Sequence, residues 1–325
     1  MIRIINYKKQ IIFLFAALGL ISYLSIKMIP NQKEENLMVI ANLQESNIQV
    51  YLYDQENTVV PISIKVDKEM KTEDKMKHMI KLMSENHPPF YAVFNQDTKL
   101  KNVEIDQGCV TLNFNKHFNQ YNKSNELRML EAITWGTTQF DGINQLKIKV
   151  DDKLIEEMPK AKTTIPNPCN REMGINNFES AGILLHKSKP LTVFYTKSIK
   201  GKDYYLPKSK RIDASFNGLK ENIQAVMDDI SATSGLKQPL YSNDIQMVEE
   251  PYLENGTLVL TLNENILSQD RVAKQDAYET LILSMAQING VKMIKVLVDD
   301  VVISLHGSNE EVINVSSLSY NRYKY

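Results

Sequence analysis

Gln107-Gly-Cys-Val-Thr-Leu-Asn-Phe114 has a second version in this chain, Asn255-Gly-Thr-Leu-Val-Leu-Thr-Leu262, at an offset of 148 residues. In both copies a glycine typical of tight turns precedes a run in which apolar and polar side chains alternate. This alternation predicts a β-strand that begins directly after a turn. The chain therefore contains an internal repeat, and this stretch marks the same place in both copies.

The match between the two copies continues downstream without a gap. Phe140-Asp-Gly-Ile-Asn-Gln-Leu-Lys-Ile-Lys-Val-Asp-Asp152 aligns with Ile288-Asn-Gly-Val-Lys-Met-Ile-Lys-Val-Leu-Val-Asp-Asp300. Each copy spans roughly 100 residues or slightly more, which is enough to enclose a hydrophobic core of its own. We therefore expect the 325 residues to form two similar domains.

The pattern within each copy predicts several strands and two helices. A first helix is expected to begin near Thr72, and a second near residues 125–140, with its equivalent near 273–288. The apolar side of this second helix consists of Leu130, Ile133, Thr137 and Phe140 in copy one, and of Tyr278, Leu281, Met285 and Ile288 in copy two. Pro61 and its counterpart Pro207 lack an N–H group, so each is expected at a strand start or at a sheet edge.

The N-terminus predicts a membrane anchor. Residues 11–29 are mostly apolar, with Lys27 as their single charged residue, and are long enough to cross a bilayer as a helix. Basic residues in the preceding segment 1–10 favour a cytoplasmic N-terminus and place the rest of the chain outside the cytoplasm. A cleaved signal peptide is the alternative, but no small-x-small cleavage site follows the apolar run.

The remaining boundaries follow from composition. Residues 30–47 are polar and are expected to form a tether to the first domain, residues 48–156. A segment rich in proline predicts a semi-rigid linker over 157–190, and the second domain is expected at 191–305. Residues 306–325 form a polar tail whose tyrosines are expected to dock on the second domain. The portion outside the membrane is mildly acidic, so it lacks the basic field that nucleic acid binding requires.

Trp135 and Leu283 are the candidate interaction residues. Both occupy the same position in the second helix of their copies, nearly opposite the apolar stripe on a helical wheel. A large apolar side chain that points away from its own core requires cover. Either the linker or the other domain covers Trp135, or Trp135 belongs to a surface that binds a partner protein.

No pattern of catalytic or metal-binding residues stands out, so we expect neither an enzyme nor a cofactor. Asp151-Asp152 and Asp299-Asp300 offer carboxylates to a cation, but aspartate pairs at strand ends more often form turns. Cys109 and Cys169 are the two cysteines, and a disulfide between them is the less favoured alternative. The five histidines are expected to be scattered over the surface; they are His78, His87, His117, His186 and His306.

These motifs resemble the GerM domain of sporulation and spore germination proteins. The resemblance rests on Val50-Tyr-Leu-Tyr53, Val60-Pro61, Asp106-Gln-Gly108 with Val110-Thr-Leu-Asn-Phe114, Gln139-Phe-Asp-Gly142 and Leu146-Lys-Ile-Lys-Val-Asp151, and on the matching positions of the second copy. It implies that each copy is a small α+β domain with two helices packed on one face of a small β-sheet, similar to the ring-building motifs of secretion and sporulation channels. Members of this family are often lipoproteins, whereas this chain has no cysteine before Cys109 to accept a lipid.

The resemblance also implies a function. A membrane-anchored tandem of GerM domains looks like a scaffold that supports an envelope complex between mother cell and forespore. Its partners would be other envelope or channel proteins, with the ectodomain in the intermembrane space. The alternatives are an envelope enzyme acting on peptidoglycan, which needs converging carboxylates or a metal, and a wall-polymer-binding module, which needs an aromatic groove.

Overall fold

The computed structural model describes residues 39–40, 46–177, 187–215, 218–231, 245–304 and 310–323. The predicted membrane anchor at residues 11–29, the cytoplasmic segment and most of the tether lie outside these ranges. Among the described residues, no helix is long and apolar enough to cross a bilayer.

The first repeat begins with an antiparallel hairpin of β2 (Ser46–Tyr53) and β3 (Val59–Val66). Helix α1 (Thr72–Leu82) follows, and then β4 (Leu100–Asp106) and β5 (Cys109–Phe114). Helix α2 (Glu126–Thr137) crosses over to β6 (Gln145–Val150), which is parallel to β5, and β7 (Lys153–Leu154) closes the unit. The sheet order is β4-β5-β6-β7.

The second repeat has the same order of elements. Its hairpin consists of β8 (Ser188–Ile199) and β9 (Lys202–Asp213). Helix α3 (Leu219–Ser231), β10 (Tyr252–Glu254), β11 (Thr257–Thr261), α4 (Gln275–Met285), β12 (Met293–Val298) and β13 (Val301–Val302) follow. Strand β14 (Ile313–Asn314) pairs with β12, and β15 (Leu318–Ser319) pairs with β1 (Val39–Ile40).

The turns at the repeated glycines have the predicted geometry. Gln107 and Gly108 have φ values of 44° and 81°, and Asn255 and Gly256 have 49° and 83°. In each pair both residues have positive φ and directly join two antiparallel strands, as in a type I′ hairpin. A side chain at position 108 would also be crowded, because its Cβ would lie 3.0 Å from the carbonyl oxygen of Gly142.

The predicted sheet is divided in the structure into a separate hairpin and a four-stranded sheet, and this division changes the burial of the second helix. Helix α2 contacts the hairpin strands β2 and β3 as well as β6. Ten of its twelve residues are buried, instead of the single apolar side that the periodicity predicts. Helix α4 contacts β8 in the same way, and nine of its eleven residues are buried.

The segment predicted as a linker is mostly part of the first repeat. Met158, Ile165, Cys169 and Ile175 are buried in the core of that repeat, because they are apolar side chains within a mostly polar and proline-rich stretch. Each repeat has its own hydrophobic core, although Ile199, Tyr204 and Leu206 of the second hairpin belong to the first core. The tail contacts both repeats and not, as predicted, only the second. Tyr320 packs on Phe194 of the second repeat, whereas the hydroxyl of Tyr323 donates a hydrogen bond to the carbonyl oxygen of Pro88 in the first.

Candidate interaction site

A cleft of about 1060 Å³ lies between the two repeats. Equivalent positions of the two copies line it from opposite sides, including Trp135 with Leu283 and Gln139 with Gln287. The tail, residues 314–318 and 320, also lines the cleft, together with Arg171 and residues of strand β2. The structure therefore brings both predicted interaction residues to the same cleft, although they lie 148 positions apart in the sequence.

Trp135 and Leu283 are not exposed, contrary to the helical-wheel argument. Their relative exposures are 2% and 1%. The indole Nε1 of Trp135 donates a hydrogen bond to the carbonyl oxygen of Gly174 at 3.1 Å, and the guanidinium of Arg171 lies over the ring, 4.4 Å from its centroid. The connecting segment, which is the part of the predicted linker that contains Arg171 and Gly174, thus covers Trp135. This is the first of the two interpretations, in which the linker or the other domain covers the side chain. The second interpretation, a partner surface at the Trp135 side chain, does not fit this burial.

Arg171 connects the equivalent helices of the two repeats. Its Nε donates to Thr138 Oγ1 at 2.9 Å, and its Nη1 lies 3.4 Å from Oε1 of Gln287 in the second repeat. Thr138 follows α2 directly, whereas Gln287 follows α4 closely. Because one guanidinium reaches both helices, it restrains the width of the cleft.

Asn176 joins the two hairpins at one place. Its Oδ1 accepts from the backbone N–H of Val59 at 2.9 Å, and its Nδ2 donates to the carbonyl oxygens of Val59 at 2.7 Å and of Pro207 at 2.9 Å. Val59 belongs to β3, while Pro207 belongs to β9. The side-chain amide therefore bridges the edges of two strands that belong to different repeats.

Asn321 joins the same hairpins at a second place. The backbone N–H of Tyr205 donates to its Oδ1 at 2.8 Å, and its Nδ2 donates to the carbonyl oxygens of Tyr205 at 2.6 Å and of Pro61 at 2.8 Å. Both asparagines are buried and have positive φ, 50° for Asn176 and 51° for Asn321. Asparagine tolerates this left-handed conformation better than most residues. We call these two bridges the asparagine clamps.

The two prolines explain why the clamps exist. The clamp contacts place Val59 opposite Pro207 and Tyr205 opposite Pro61, so β3 and β9 run antiparallel. Neither proline can donate a backbone hydrogen bond, and a direct ladder between these strands would lack those bonds. The asparagine amides donate hydrogen bonds to carbonyl oxygens of both strands, so these buried backbone groups have partners.

An ion pair adds a third connection between the repeats. The Nζ of Lys197 lies 2.6 Å from Oδ2 of Asp54 and 2.7 Å from Oε2 of Glu56. Burial alone would lower the pKa of Lys197, but hydrogen bonds and charge attraction from these two carboxylates outweigh it and raise the pKa. Lys197 is on β8, and both carboxylates lie in the turn between β2 and β3.

The other candidates have structural roles. Asp151 and Asp152 have φ values of 46° and 68°, and Asp299 and Asp300 have 50° and 62°, so each pair forms a two-residue hairpin turn as the favoured interpretation predicts. No group of residues suited to a metal occurs in the described ranges. The imidazole of His87 is buried, and its Nε2 lies 2.9 Å from the carbonyl oxygen of Leu82, so this histidine is not at the surface. His186 and His306 lie outside the described residues.

Cys109 and Cys169 are both free thiols, so the disulfide alternative is wrong. Cys169 is 1% exposed, and its Sγ lies 3.4 Å from Thr134 Oγ1. Burial raises the pKa of this thiol, and the contact with Thr134 offsets only part of that effect. Cys109 is half-buried on the outer face of the first sheet.

Comparisons with known proteins agree with the tandem arrangement. The family model described as Germane, for sporulation and spore germination, matches residues 49–156. The chain is 31% identical over 268 residues to the spore germination protein GerM of Bacillus subtilis (strain 168), with 77% of this chain and 71% of the relative covered. The solved structure of the tandem GerMN domains of the sporulation protein GerM from Bacillus subtilis matches with a TM-score of 0.71 and 25% identity, and covers 86% of this chain and 100% of that one.

Proposed function

Because this chain belongs to the GerM family of sporulation and spore germination proteins, we propose that it is a non-catalytic scaffold that holds other envelope proteins together. Its partners would be proteins of the envelope complex that connects mother cell and forespore. The observation that carries this proposal is the pair of asparagine clamps, supported by Arg171 and Lys197. Together they make one body from two repeats, with a constant geometry between the partner-binding surfaces.

The position of the scaffold follows from the N-terminus. We place residues 11–29 across the cytoplasmic membrane as a single span, with Arg3, Lys8 and Lys9 on the cytoplasmic side. The tether and both repeats then lie outside the cytoplasm, in the intermembrane space during sporulation. Strand edges and outward faces of the two sheets are the surfaces available to partners there.

The chemistry of the cleft favours a scaffold over an envelope enzyme. Glycoside hydrolysis uses two carboxyl groups on either side of the scissile bond. Among the described residues that line the cleft, Asp141 is the single carboxylate. The aromatic rings at the cleft are also nearly inaccessible, with exposures of 3% for Tyr51 and 1% for Phe194, which disfavours an aromatic groove for a wall polymer.

Complementation tests this proposal. A Bacillus subtilis strain that lacks GerM would receive the full chain, the chain with Asp141→Asn, or a chain without residues 11–29. We expect the first two to restore spore formation and germination, and the third to fail although its repeats fold. Failure of Asp141→Asn at an unchanged protein level would instead favour the enzyme. Cell fractionation with external protease would locate the ectodomain.

A further inference from the structure

The outer faces of the two sheets, which point away from the helices, differ in chemistry although their backbones correspond. In the first repeat Glu104 and Lys149 form an ion pair across this face, with Nζ and Oε2 3.5 Å apart. Thr111 lies on the strand between them, where it pairs with Glu104 on one side and with Lys147, two residues before Lys149, on the other. This face is therefore polar and suited to water.

In the second repeat the same three positions, at the offset of 148, are Tyr252, Val259 and Leu297. Tyr252 pairs directly with Val259, and Leu297 is on the adjacent strand β12. An apolar cluster thus replaces the ion pair. Tyr252 is 52% exposed and nearby Val248 is 57% exposed, whereas Val259 and Leu297 are half-buried.

The first repeat shows that the fold does not require apolar residues at these positions. The side chains of Tyr252, Val259 and Leu297 point away from the core and are not part of the hydrophobic cluster of the second repeat. Exposed apolar clusters on one face of a protein are typical of a contact with another molecule. The comparison between the repeats therefore indicates that these apolar residues serve the surface of the second repeat and not its fold.

The charges on this face indicate which molecule covers it. Lys295 lies beside Val259 on β12. Glu249 and Glu254 lie toward the opposite edge of the sheet, at β10, where Glu249 accepts a hydrogen bond from Thr261 at 2.9 Å. The β10 edge of this face is thus acidic, and Lys295 lies on the β12 side. A face with this division is complementary to itself after a two-fold rotation.

We propose that this face forms a symmetric contact with the same face of a second copy of the chain. A two-fold axis along β11 lays β10 of each copy over β12 of the other, as in face-to-face packing of sheets. Lys295 of one copy then meets Tyr252 of the other, with Glu249 and Glu254 on either side. The membrane anchor proposed above would raise the effective concentration for this contact, but the contact itself rests only on the surface of the second repeat. This inference is independent of the proposed scaffold function, since either can hold without the other.

The geometry provides a direct test, because Thr257 lies on β11 next to the axis. In the full chain with Cys109→Ser and Thr257→Cys, the new thiols of two copies face each other, and a short bismaleimide applied to membranes should link them into a dimer. The unmodified chain is a matched control, since Cys109 occupies the equivalent position on the first sheet. We expect little cross-linking there.

Two further changes decide the outcome. Adding Tyr252→Lys, which places a second cation opposite Lys295 of the other copy, should lower the association constant roughly tenfold or more, which corresponds to at least about 1.4 kcal/mol. If that variant fails to fold, as judged by circular dichroism, Val259→Thr takes its place. The proposal is overturned if Thr257→Cys gives no dimer, if it links only to a different protein, if Cys109 links equally well, or if the charged variant remains dimeric.

Discussion

Asn176 and Asn321 make the same hydrogen bonds with the two hairpins exchanged. Each amide binds both backbone groups of one residue in its own repeat, Val59 or Tyr205, and donates across to a proline carbonyl of the other repeat. Such reciprocal contacts are the signature of a two-fold symmetric interface. The chain therefore contains, between its two repeats, the kind of contact that joins two subunits in a homodimer.

Removing either clamp should loosen the junction between the repeats. We expect Asn176→Gly and Asn321→Gly each to lower the free energy of unfolding by roughly 1–3 kcal/mol, because buried carbonyls and N–H groups lose their partners. Glycine adopts the positive φ without steric strain. The decrease in the free energy of unfolding therefore reflects the missing side-chain amide and not a strained backbone. Urea unfolding followed by circular dichroism measures it.

The double variant shows whether the clamps act together. If they hold one shared junction, the loss in Asn176→Gly with Asn321→Gly will differ from the sum of the two single losses by at least about 0.5 kcal/mol. Asn177→Gly is a control for a general effect of glycine in this segment. Strictly additive losses would mean that each asparagine stabilises its own repeat only.

Local turn chemistry made much of the fold predictable. Gln107-Gly108 and Asp151-Asp152 encode two-residue turns through their residue types, and the structure has positive φ at all four residues. The burial of Trp135 was not predictable in the same way. A helical wheel assumes one buried side, whereas α2 has the hairpin, the sheet and the connecting segment around it.

The asparagine clamps left almost no signal in the sequence. The ungapped match between the copies ends at Asp152 and Asp300, whereas Asn176 and Asn321 are separated by 145 positions instead of 148. Their role depends on two prolines about 30 and 260 residues away, so no local pattern could reveal it. The prolines themselves were a usable clue, since both copies place one in a buried hairpin strand.

The ion pair of Lys197 should also contribute to the junction. Lys197→Met removes the charge and keeps most of the aliphatic chain, leaving Asp54, 3% exposed at its side chain, without its cation. We expect a loss of roughly 2 kcal/mol in the free energy of unfolding, because an uncompensated carboxylate remains nearly buried. Lys200→Met, in the exposed turn that follows β8, is the matched control and should change stability little. An equal loss in both variants would contradict a specific role for the pair.

Trp135 is the single tryptophan of the chain, so its fluorescence reports directly on the cleft wall. In the native protein we expect blue-shifted emission and weak quenching by acrylamide, since the ring is 2% exposed. Trp135→Leu, which places the residue of the second repeat here, should cost roughly 2–4 kcal/mol because a cavity and an unpaired Gly174 carbonyl remain. Trypsin should then cut faster at Arg171. Strong quenching in the native state would contradict the observed burial.

The two thiols should differ in reactivity. Cys109 is half-buried on a sheet surface, whereas Cys169 is 1% exposed with a raised pKa, and the thiolate is the reactive form. With Ellman's reagent near neutral pH, we expect Cys109 to react in the folded protein and Cys169 only after denaturation. Cys109→Ser serves as control and should abolish the native reaction. A mass two hydrogens below that of the dithiol would instead indicate the disulfide.

Glu126 should make stability depend on pH. Its buried carboxylate receives hydrogen bonds from Tyr121 Oη at 2.5 Å and from the backbone N–H groups of Lys160, Ala161 and Thr163 at 2.8, 2.7 and 3.0 Å. Burial would raise its pKa, but these bonds prevail and lower it from 4.5 to about 2. The carboxylate thereby holds the connecting segment against the start of α2.

A carboxylate with a lowered folded pKa stabilises the protein fully above its unfolded pKa, and this contribution disappears as the pH falls through the folded value. The amide of Glu126→Gln cannot accept all of these hydrogen bonds. At neutral pH we therefore expect the free energy of unfolding of this variant to be roughly 3 kcal/mol lower than that of the wild type. The difference should shrink between about pH 4.5 and 2, because the wild-type side chain becomes protonated there. Glu85→Gln, at an exposed position after α1, is the control. Urea titrations across this range that give a constant difference would contradict the role assigned to the Glu126 charge.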